Sequence, residues 1–287
     1  MSKPLFPRLR VGARLSEHTT VLGLVDRNRG RHPVYIVWSH EAWCPMACKT
    51  FDDIERAQHE RDILDICAHP NVVRAFGAGE RPPHLLLEFL EGESVERKLM
   101  AGQTLPIADS LRLAIHVGGA LEHMHRKGYV HLDIKPANIM VVKDRPVLFD
   151  FGAARRIGHE RPPRVQGTDP YISPEECELG DVTSAADVFS FAVTLFEMIG
   201  GELPFPEPTR KVPFPQLDQK PASLRRYRSS ASAALDRLLL ACLAREPAKR
   251  PALQEVLVEL NRLIPSGPKM WPENFMPGVT ASSRKAA

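Results

Sequence analysis

The stretch HLDIKPANIMVVKDRPVLFDFG, residues 131–152, brings several polar side chains into one short region. Its segments IMVV and PVLF are predicted strands because they are rich in β-branched and apolar residues, and KDR between them is a short turn. Asn138 and Asp150 each lie six residues from Asp144 in that turn, so antiparallel pairing would bring them within about 5–8 Å of each other. An amide oxygen and a carboxylate that meet in this way suit Mg²⁺, which binds few protein groups and completes its shell with phosphate and water.

The same residues also have a purely structural interpretation. Asp133 and Asn138 are residue types that cap turns, and Asp150-Phe151-Gly152 reads equally well as a turn without any chemistry. None of these residues alone distinguishes a metal site from an ordinary loop.

The chain as a whole has two regions of different sequence pattern. Before residue 91 the sequence predicts short strands in TTVLGLVDR, HPVYIVWS, CPMACKTF, VVRAFGAG and HLLLEFL, with one helix over residues 52–67. From residue 92 onward the apolar spacing is helical, and the helix around Val188–Ile199 is apolar on most sides. We therefore expect an α+β protein with a strand-rich unit over 10–91, a helical unit over 92–264 and a ligand cleft between them. The tail, 265–287, is expected to be disordered.

Composition excludes several classes of protein. The chain has 287 residues, of which 43% are hydrophobic and 25% charged, and its formal net charge is +3. This small charge gives no support to nucleic acid as a partner. No stretch approaches ~18 uninterrupted apolar residues, so we expect no membrane insertion. Five cysteines are too few, and odd in number, for a disulfide framework, which favours a reducing, cytoplasmic location.

The motifs together resemble the eukaryotic-type (Hanks-type) serine/threonine protein kinase family in its bacterial form. HLDIKPAN matches the catalytic loop of that family, DFG follows at the family's interval, and the resemblance covers roughly residues 10–264. It implies the two-lobed kinase fold, with a small β-rich lobe and a larger helical lobe. By the same resemblance, Asp133 accepts or orients the proton of the substrate hydroxyl, and Lys135 neutralises charge on the transferring phosphoryl group. Asn138 and Asp150 would hold the metal ions, Mg²⁺ or Mn²⁺.

An ion pair is expected in the strand-rich unit. Glu60 lies on the apolar face of the predicted helix, at helical spacing from Ala57 and Leu64, and burying it without a partner would cost several kcal/mol. Lys49, at the end of MACK, is the candidate partner, although each charge alone would ordinarily be exposed. MACK resembles the family's V-A-I-K strand, whose lysine positions the ATP phosphates and pairs with the helix glutamate.

The resemblance also implies positions for the nucleotide and the substrate. Four apolar residues match the adenine-binding region, although core residues look the same in a sequence: Leu22, Ala47, Leu90 and Met140. GTDPYISPEE resembles the segment that receives the substrate peptide, with Thr168 contacting Asp133 and Lys135. In the same region Glu175 would pair with Arg250, and Asp187 would brace the catalytic loop.

Two departures from the family bear on nucleotide binding and on regulation. The glycine-rich loop is missing, because Ser16, His18 and Thr20 stand where glycines let backbone N–H groups approach the phosphates. Leu132 replaces the arginine that normally meets an activation-loop phosphate, and residues 153–166 contain no Ser, Thr or Tyr. We therefore expect weakened nucleotide binding and a loop that phosphorylation does not switch.

Three functions follow from these observations. The first is transfer of the ATP γ-phosphate to a serine or threonine of a protein. The second is a pseudokinase, a nucleotide-binding or scaffolding module, which the missing glycines favour. The third is a small-molecule kinase of the same fold, which GTDPYISPEE and Arg250 disfavour.

Overall fold

The computed structural model describes residues 9–26, 32–158 and 167–264. The chain divides into two compact units, Met1–Gly92 and Glu93–Ala287. The predicted disordered tail over 265–287 lies outside the described residues. No helix among the described residues is long and apolar enough to cross a membrane.

The N-terminal unit is an antiparallel sheet with one helix. The sheet follows the order β1-β2-β3-β4-β6-β5. Its elements are β1 (Arg14–Ser16), β2 (Thr19–Asp26), β3 (Val34–Ser39), β4 (Cys44–Thr50), α1 (Ile54–Ile66), β5 (Ala75–Glu80) and β6 (Pro83–Glu88). The five predicted strands and the helix are confirmed. The first strand, β1, was not predicted because three residues carry no readable alternation.

Alternating burial divides the residues of this sheet between two faces. On one face a core cluster forms from Val21, Tyr35, Val37, Met46 and Cys48. Side chains alternate along a strand, so Ala47 and Lys49 of β4 share the opposite face.

Helix α1 packs one of its faces inward. It begins after Asp53, whose carboxylate accepts the N–H of Arg56 at 2.8 Å and so satisfies an N-terminal donor. Its buried residues are Ala57, Glu60, Ile63 and Leu64.

The C-terminal unit is mainly helical. Its elements are β7 (Glu93–Ser94), α2 (Val95–Met100), α3 (Ile107–Arg126), β8 (Tyr129–Val130), β9 (Ile139–Val142), β10 (Arg145–Leu148), β11 (Arg155–Arg156), α4 (Pro174–Cys177), α5 (Ser184–Gly200), α6 (Ala233–Cys242) and α7 (Leu253–Leu263). The short strands form two small sheets, β10-β9-β7 and β11-β8. Between α5 and α6 the chain forms two 3₁₀ turns, Pro215–Leu217 and Leu224–Arg226, with no α-helix.

The buried helix predicted around Val188–Ile199 is confirmed as α5. Thirteen of its 17 residues are buried, and it ends where Gly201 adopts a left-handed conformation with φ of 74°. Two of its buried hydroxyls bond to loops, since Ser190 Oγ donates to the carbonyl of Tyr171 at 2.7 Å and Thr194 Oγ1 donates to that of Ile134 at 3.3 Å. Helix α5 therefore holds the loops at Tyr171 and Ile134 through side-chain hydrogen bonds.

The β9–β10 hairpin exists, but its predicted centre was wrong. Arg145 pairs with Val142, so the turn comprises only Lys143 and Asp144, with Lys143 at φ 55°. The pairing puts Asn138 opposite Phe149, whose N–H donates to the Asn138 carbonyl at 3.0 Å, and not opposite Asp150. The sequence did not show that Lys143 would adopt the left-handed conformation that tightens the turn.

Candidate active site

A buried ion pair joins β4 to α1. Lys49 Nζ donates to both carboxylate oxygens of Glu60, at 2.8 and 2.7 Å, and the two side chains are 8% and 3% exposed. The ammonium also lies 5.3 Å from the centre of the Phe51 ring. The predicted pairing of these charges is therefore present in the structure. Two-oxygen contact and burial make the ammonium a fixed positive charge on its face of the sheet.

The three predicted adenine-binding residues of this unit lie in different settings. Ala47 is half-buried on the same face as Lys49. Leu90 is half-buried after the end of β6. Leu22 lies at an irregularity in the β2–β3 pairing and is 45% exposed. Leu22 is thus the one of the three that the core of the N-terminal unit does not hold.

The turn between β1 and β2 is tight and has no glycine. Ser16 pairs with Thr19, which leaves only Glu17 and His18 in the turn, and the N–H of His18 bonds to Ser16 Oγ at 3.2 Å. A local side chain therefore uses a backbone donor that glycine-rich loops leave for phosphate.

Three side chains of the C-terminal unit form a compact polar cluster. Lys135 Nζ donates to Asp133 Oδ2 at 2.7 Å, while Thr168 Oγ1 donates to Asp133 Oδ1 at 2.9 Å. Lys135 Nζ also contacts Thr168 Oγ1 at 2.5 Å. The structure therefore brings Thr168 to the two loop residues that the sequence analysis assigned to chemistry.

Asn138 is the next side chain of this cluster. Its amide nitrogen donates to the backbone carbonyl of Asp133 and to Asp133 Oδ2, both at 2.8 Å. This bonding fixes the amide so that its oxygen, the atom suited to a hard cation, is directed away from Asp133. Asp150 follows β10 with φ 63°, a left-handed conformation in which it leaves the strand direction. Met140, the last predicted adenine-binding residue, lies half-buried on β9.

Asp187 of α5 holds the chain beneath this cluster. It accepts the N–H of Leu132 at 2.8 Å and that of His131 at 2.9 Å, and His125 Nε2 contacts it at 2.8 Å. Burial would raise the pKa of Asp187, but the hydrogen bond from His125 and the nearby histidines outweigh it and hold that pKa below its usual range. Sequence reasoning missed His125, because a separation of 62 positions from Asp187 leaves no local pattern.

The residue before Leu132 connects the loop to Phe151. His131 is fully buried, its Nδ1 accepts the N–H of Asp133 at 3.3 Å, and its ring meets Phe151 edge-on at 4.7 Å between centres. Burial lowers the pKa of His131, so the ring is neutral at physiological pH. A buried aromatic contact therefore links the loop that carries Asp133 to the segment that carries Asp150.

Leu132 forms an apolar anchor with the segment after Phe151. It is buried in a cluster with Val130 and Ala186, against which Ala153, Ile157 and Val182 pack. Strand β11 pairs with β8 beside this cluster, and the N–H of Ile157 donates to the Gly128 carbonyl at 2.8 Å. Residues 153–158 are therefore held by packing and by backbone hydrogen bonds. The packing involves Leu132, which stands where the resemblance led us to expect an arginine.

The predicted pair of Glu175 and Arg250 fastens the segment after Thr168. Arg250 donates from Nη1 and Nη2 to the two Glu175 oxygens at 2.7 and 2.8 Å. Its remaining N–H groups bond to the carbonyls of Ala185, Ala244 and Arg245. All five donors of the guanidinium are thus used, which is the condition under which a buried charge is tolerated.

Another carboxyl of this segment, Glu176, is buried and makes no ion pair among the described residues, although Arg155 interacts with it electrostatically. Glu176 Oε2 accepts the Ser173 N–H at 3.1 Å and the Ser173 hydroxyl at 2.7 Å. Burial raises the pKa of Glu176 to about 7, and the two bonds from Ser173 only partly oppose this.

Comparisons with known proteins bear on this arrangement. The family described as "Protein kinase domain" matches residues 33–259 of this chain. The serine/threonine-protein kinase pkn2 of Myxococcus xanthus is 32% identical over 218 residues, which cover 69% of this chain and 25% of that protein. The serine/threonine-protein kinase PrkC of Bacillus subtilis is 26% identical over 204 residues, 69% of this chain and 32% of that protein. The chain therefore spans about a quarter to a third of the length of these relatives.

A solved structure supports the fold independently. The crystal structure of the PknI kinase domain from Mycobacterium tuberculosis superposes with a TM-score of 0.71 at 22% identity. The superposition covers 89% of this chain and 100% of that domain, which confirms the predicted α+β kinase fold.

We expect Arg250→Ala to destabilise the protein by about 3–5 kcal/mol, because it leaves the Glu175 carboxylate buried and uncompensated. Chemical denaturation at neutral pH measures this. Arg245→Ala is the matched control, since Arg245 pairs with Glu178 at an exposed position and its loss should cost less than about 1 kcal/mol. Equal losses for the two variants would contradict the assignment.

We expect Glu176 to make the protein less stable as pH rises from its ordinary pKa of 4.5 to about 7. In this window the folded state holds a proton that the unfolded state has released, so stability falls with increasing pH. Glu176→Gln keeps an acceptor for Ser173 and should flatten the dependence. Urea midpoints of both proteins across this pH window check the prediction, and parallel curves would show that Glu176 does not cause the slope.

Proposed function

We propose, since the chain belongs to the protein kinase domain family, that it transfers the γ-phosphate of ATP to a serine or threonine hydroxyl of a protein. The observation that carries the proposal is the cluster in which Asp133 accepts from Lys135 and Thr168. A carboxylate held by an ammonium and a hydroxyl is poised to accept a proton from a bound hydroxyl.

The proposed reaction is an in-line displacement. The substrate hydroxyl oxygen forms a bond to the γ-phosphorus, the bond from that phosphorus to the bridging oxygen of ADP breaks, and Asp133 receives the hydroxyl proton. Lys135 offsets negative charge on the transferring group. Thr168 fixes the relative positions of the Asp133 and Lys135 side chains by bonding to each. Catalysis of this kind consists of positioning and charge neutralisation.

Protein kinases in general use ATP and a divalent metal, and the residues present fit such groups. The Lys49 ammonium, fixed by Glu60, suits the nucleotide phosphates. Asn138 and Asp150 offer an amide oxygen and a carboxylate, which suit Mg²⁺ or Mn²⁺ when phosphates supply further ligands. Such a metal neutralises charge that develops on the phosphates.

The segment after Thr168 supports a protein substrate. The bidentate Glu175–Arg250 contact fastens this segment from below, and the Tyr171 carbonyl is held by Ser190 of α5. A firmly held surface beside Asp133 suits an extended peptide better than a small molecule.

A second candidate function is favoured by the tight turn between β1 and β2. Ser16 occupies a backbone donor in this turn, and no glycine opens it toward phosphate. A protein that binds nucleotide weakly and transfers nothing would be a scaffold with the kinase fold. The two functions differ in whether phosphate transfer depends on Asp133.

We expect Asp133→Ala and Lys49→Met each to lower phosphate transfer by at least about a hundredfold, because one removes the proton acceptor and the other a phosphate-binding charge. Transfer to a generic serine/threonine peptide with Mg-ATP is measured by radiolabel. Lys143→Met, at the exposed β9–β10 turn, is the control for Lys49→Met and should keep wild-type activity. Wild-type rates in Asp133→Ala, with chemistry limiting, would contradict the proposed role; no transfer by the wild type would favour the scaffold.

We expect phosphatase treatment to leave activity nearly unchanged, because packing around Leu132 already holds residues 153–158. Leu132→Ala should lower activity by removing this packing, and phosphorylation should not restore it. Activity of treated and untreated enzyme, with intact-mass measurement, checks both statements. A large loss on dephosphorylation, restored by one mapped phosphate, would show that a phosphate does control the enzyme.

A further inference from the structure

An uncompensated group of arginines lies between α5 and α6. Residues 201–232 carry six basic side chains against three acidic ones. Three of the basic side chains, Arg225, Arg226 and Arg228, flank Tyr227 in sequence at the end of the second 3₁₀ turn, and we call this the arginine patch. None of the three makes an ion pair within the part of the chain that the structure describes.

The patch is held in a fixed conformation. Asp236 of α6 accepts the N–H of Leu224 at 2.7 Å and the hydroxyl of Ser223 at 2.9 Å, so the carboxylate that contacts this turn is already used. Leu224 is fully buried beneath the turn. Because the backbone is already fixed, a ligand that binds here has to order only the arginine side chains and not the turn itself.

Aromatic and hydroxyl contacts direct the guanidinium groups. Arg226 lies over the Tyr227 ring at 5.6 Å, and Tyr227 remains 37% exposed. Arg228 Nη1 donates to Thr104 at 3.3 Å. Arg225 is exposed on the same turn. These planar donors match the paired oxygens of carboxylates, with which arginine forms two parallel hydrogen bonds.

A short series of contacts connects the patch to the proposed active site. Tyr227 packs edge-on against Phe196 of α5 at 6.0 Å, and the next residue, Glu197, accepts the Tyr171 hydroxyl at 2.6 Å. The N–H of Tyr171 donates to the Thr168 carbonyl at 2.8 Å, and Thr168 bonds to Asp133. The patch therefore lies in the same unit as the segment expected to receive the substrate, and these contacts join the two.

We propose that the arginine patch docks an Asp/Glu-rich segment of the protein substrate, outside the residues that are phosphorylated. The proposal rests on the proposed function for the identity of the partner. Nucleic acid fits the patch poorly, since such binding uses about 6–10 phosphate contacts and the chain has a net charge of only +3. Each basic residue contributes about 1 kcal/mol of binding free energy to an anionic membrane, so three arginines alone would bind a membrane weakly.

The test uses two peptides that share one phosphorylatable core. One carries an Asp/Glu-rich segment behind a flexible linker of about ten residues, and the other carries an uncharged segment of the same length. For the wild type we expect the acidic segment to lower KM about tenfold with kcat unchanged, which corresponds to three exposed charge pairs of modest strength. This advantage should shrink as salt is raised, because the pairs are exposed.

Two variants with equal loss of charge make the comparison specific. The patch variant replaces Arg225, Arg226 and Arg228 with alanine. The control replaces three exposed arginines that each pair with a surface carboxylate: Arg126, Arg245 and Arg262. We expect the patch variant to lose the KM advantage while it phosphorylates the uncharged peptide normally, and the control to keep the advantage. Loss of the advantage in both variants would indicate general electrostatics and overturn the proposal.

Direct binding separates docking from catalysis. Fluorescence anisotropy of the labelled acidic segment, without ATP, should show binding to the wild type and to the control but not to the patch variant. If this binding is seen but neither peptide is phosphorylated, the proposed function fails and the docking surface stands. If transfer occurs with equal KM for both peptides, docking is overturned and the function stands. Binding of a DNA duplex or of anionic vesicles in preference to the acidic segment also overturns the proposal.

Discussion

The Asp187 carboxylate is the interaction on which the proposed active site depends. One side chain of the most buried helix accepts two consecutive backbone N–H groups and a histidine ring nitrogen. One of the N–H groups belongs to Leu132, whose φ of 62° is costly for a residue with a Cβ. The bonds to Asp187 offset that cost, and in doing so they set the direction in which the chain continues to Asp133. The loop that carries Asp133 is therefore positioned by the buried helix α5.

Much of this could be predicted from the sequence, and the limits have physical causes. Strands and helices with strong periodicity were found because burial on one face imposes period 2 or 3.6 on the residues. Glu60 was found because a carboxylate on an apolar helix face requires a partner. Lys49 was identified as that partner because it ends the strand MACK. The β9–β10 register was off, because a two-residue turn requires a left-handed Lys143 and lysine gives no sign of this conformation.

The residues that escaped prediction share one property, which is that their partners are distant in sequence. His125 contacts Asp187 across 62 positions, and Tyr171 meets Glu197 across 26. Their types fit many bland roles, and only the packing of α3 and the Thr168 segment against α5 brings these partners together. Side chains whose roles arise from tertiary packing carry no local pattern, so periodicity and motif spacing do not reveal them.

Two different kinds of interaction hold the two ends of the segment that runs from Phe151 to Glu175. Near Leu132 the hold is apolar, and it comes from side chains that need no counter-charge and do not respond to salt or phosphate. Near Glu175 the hold is a buried ion pair whose five arginine donors are all satisfied. A phosphate would add charge to the first of these, where no arginine from the catalytic loop is present to meet it, and it would have no vacant donor of Arg250 at the second. Among the described arginines that make no ion pair, three lie together before α6, at Arg225, Arg226 and Arg228. The contacts that hold this segment therefore need no phosphate, whereas the docking proposed for the arginine patch depends on negative charge in the partner.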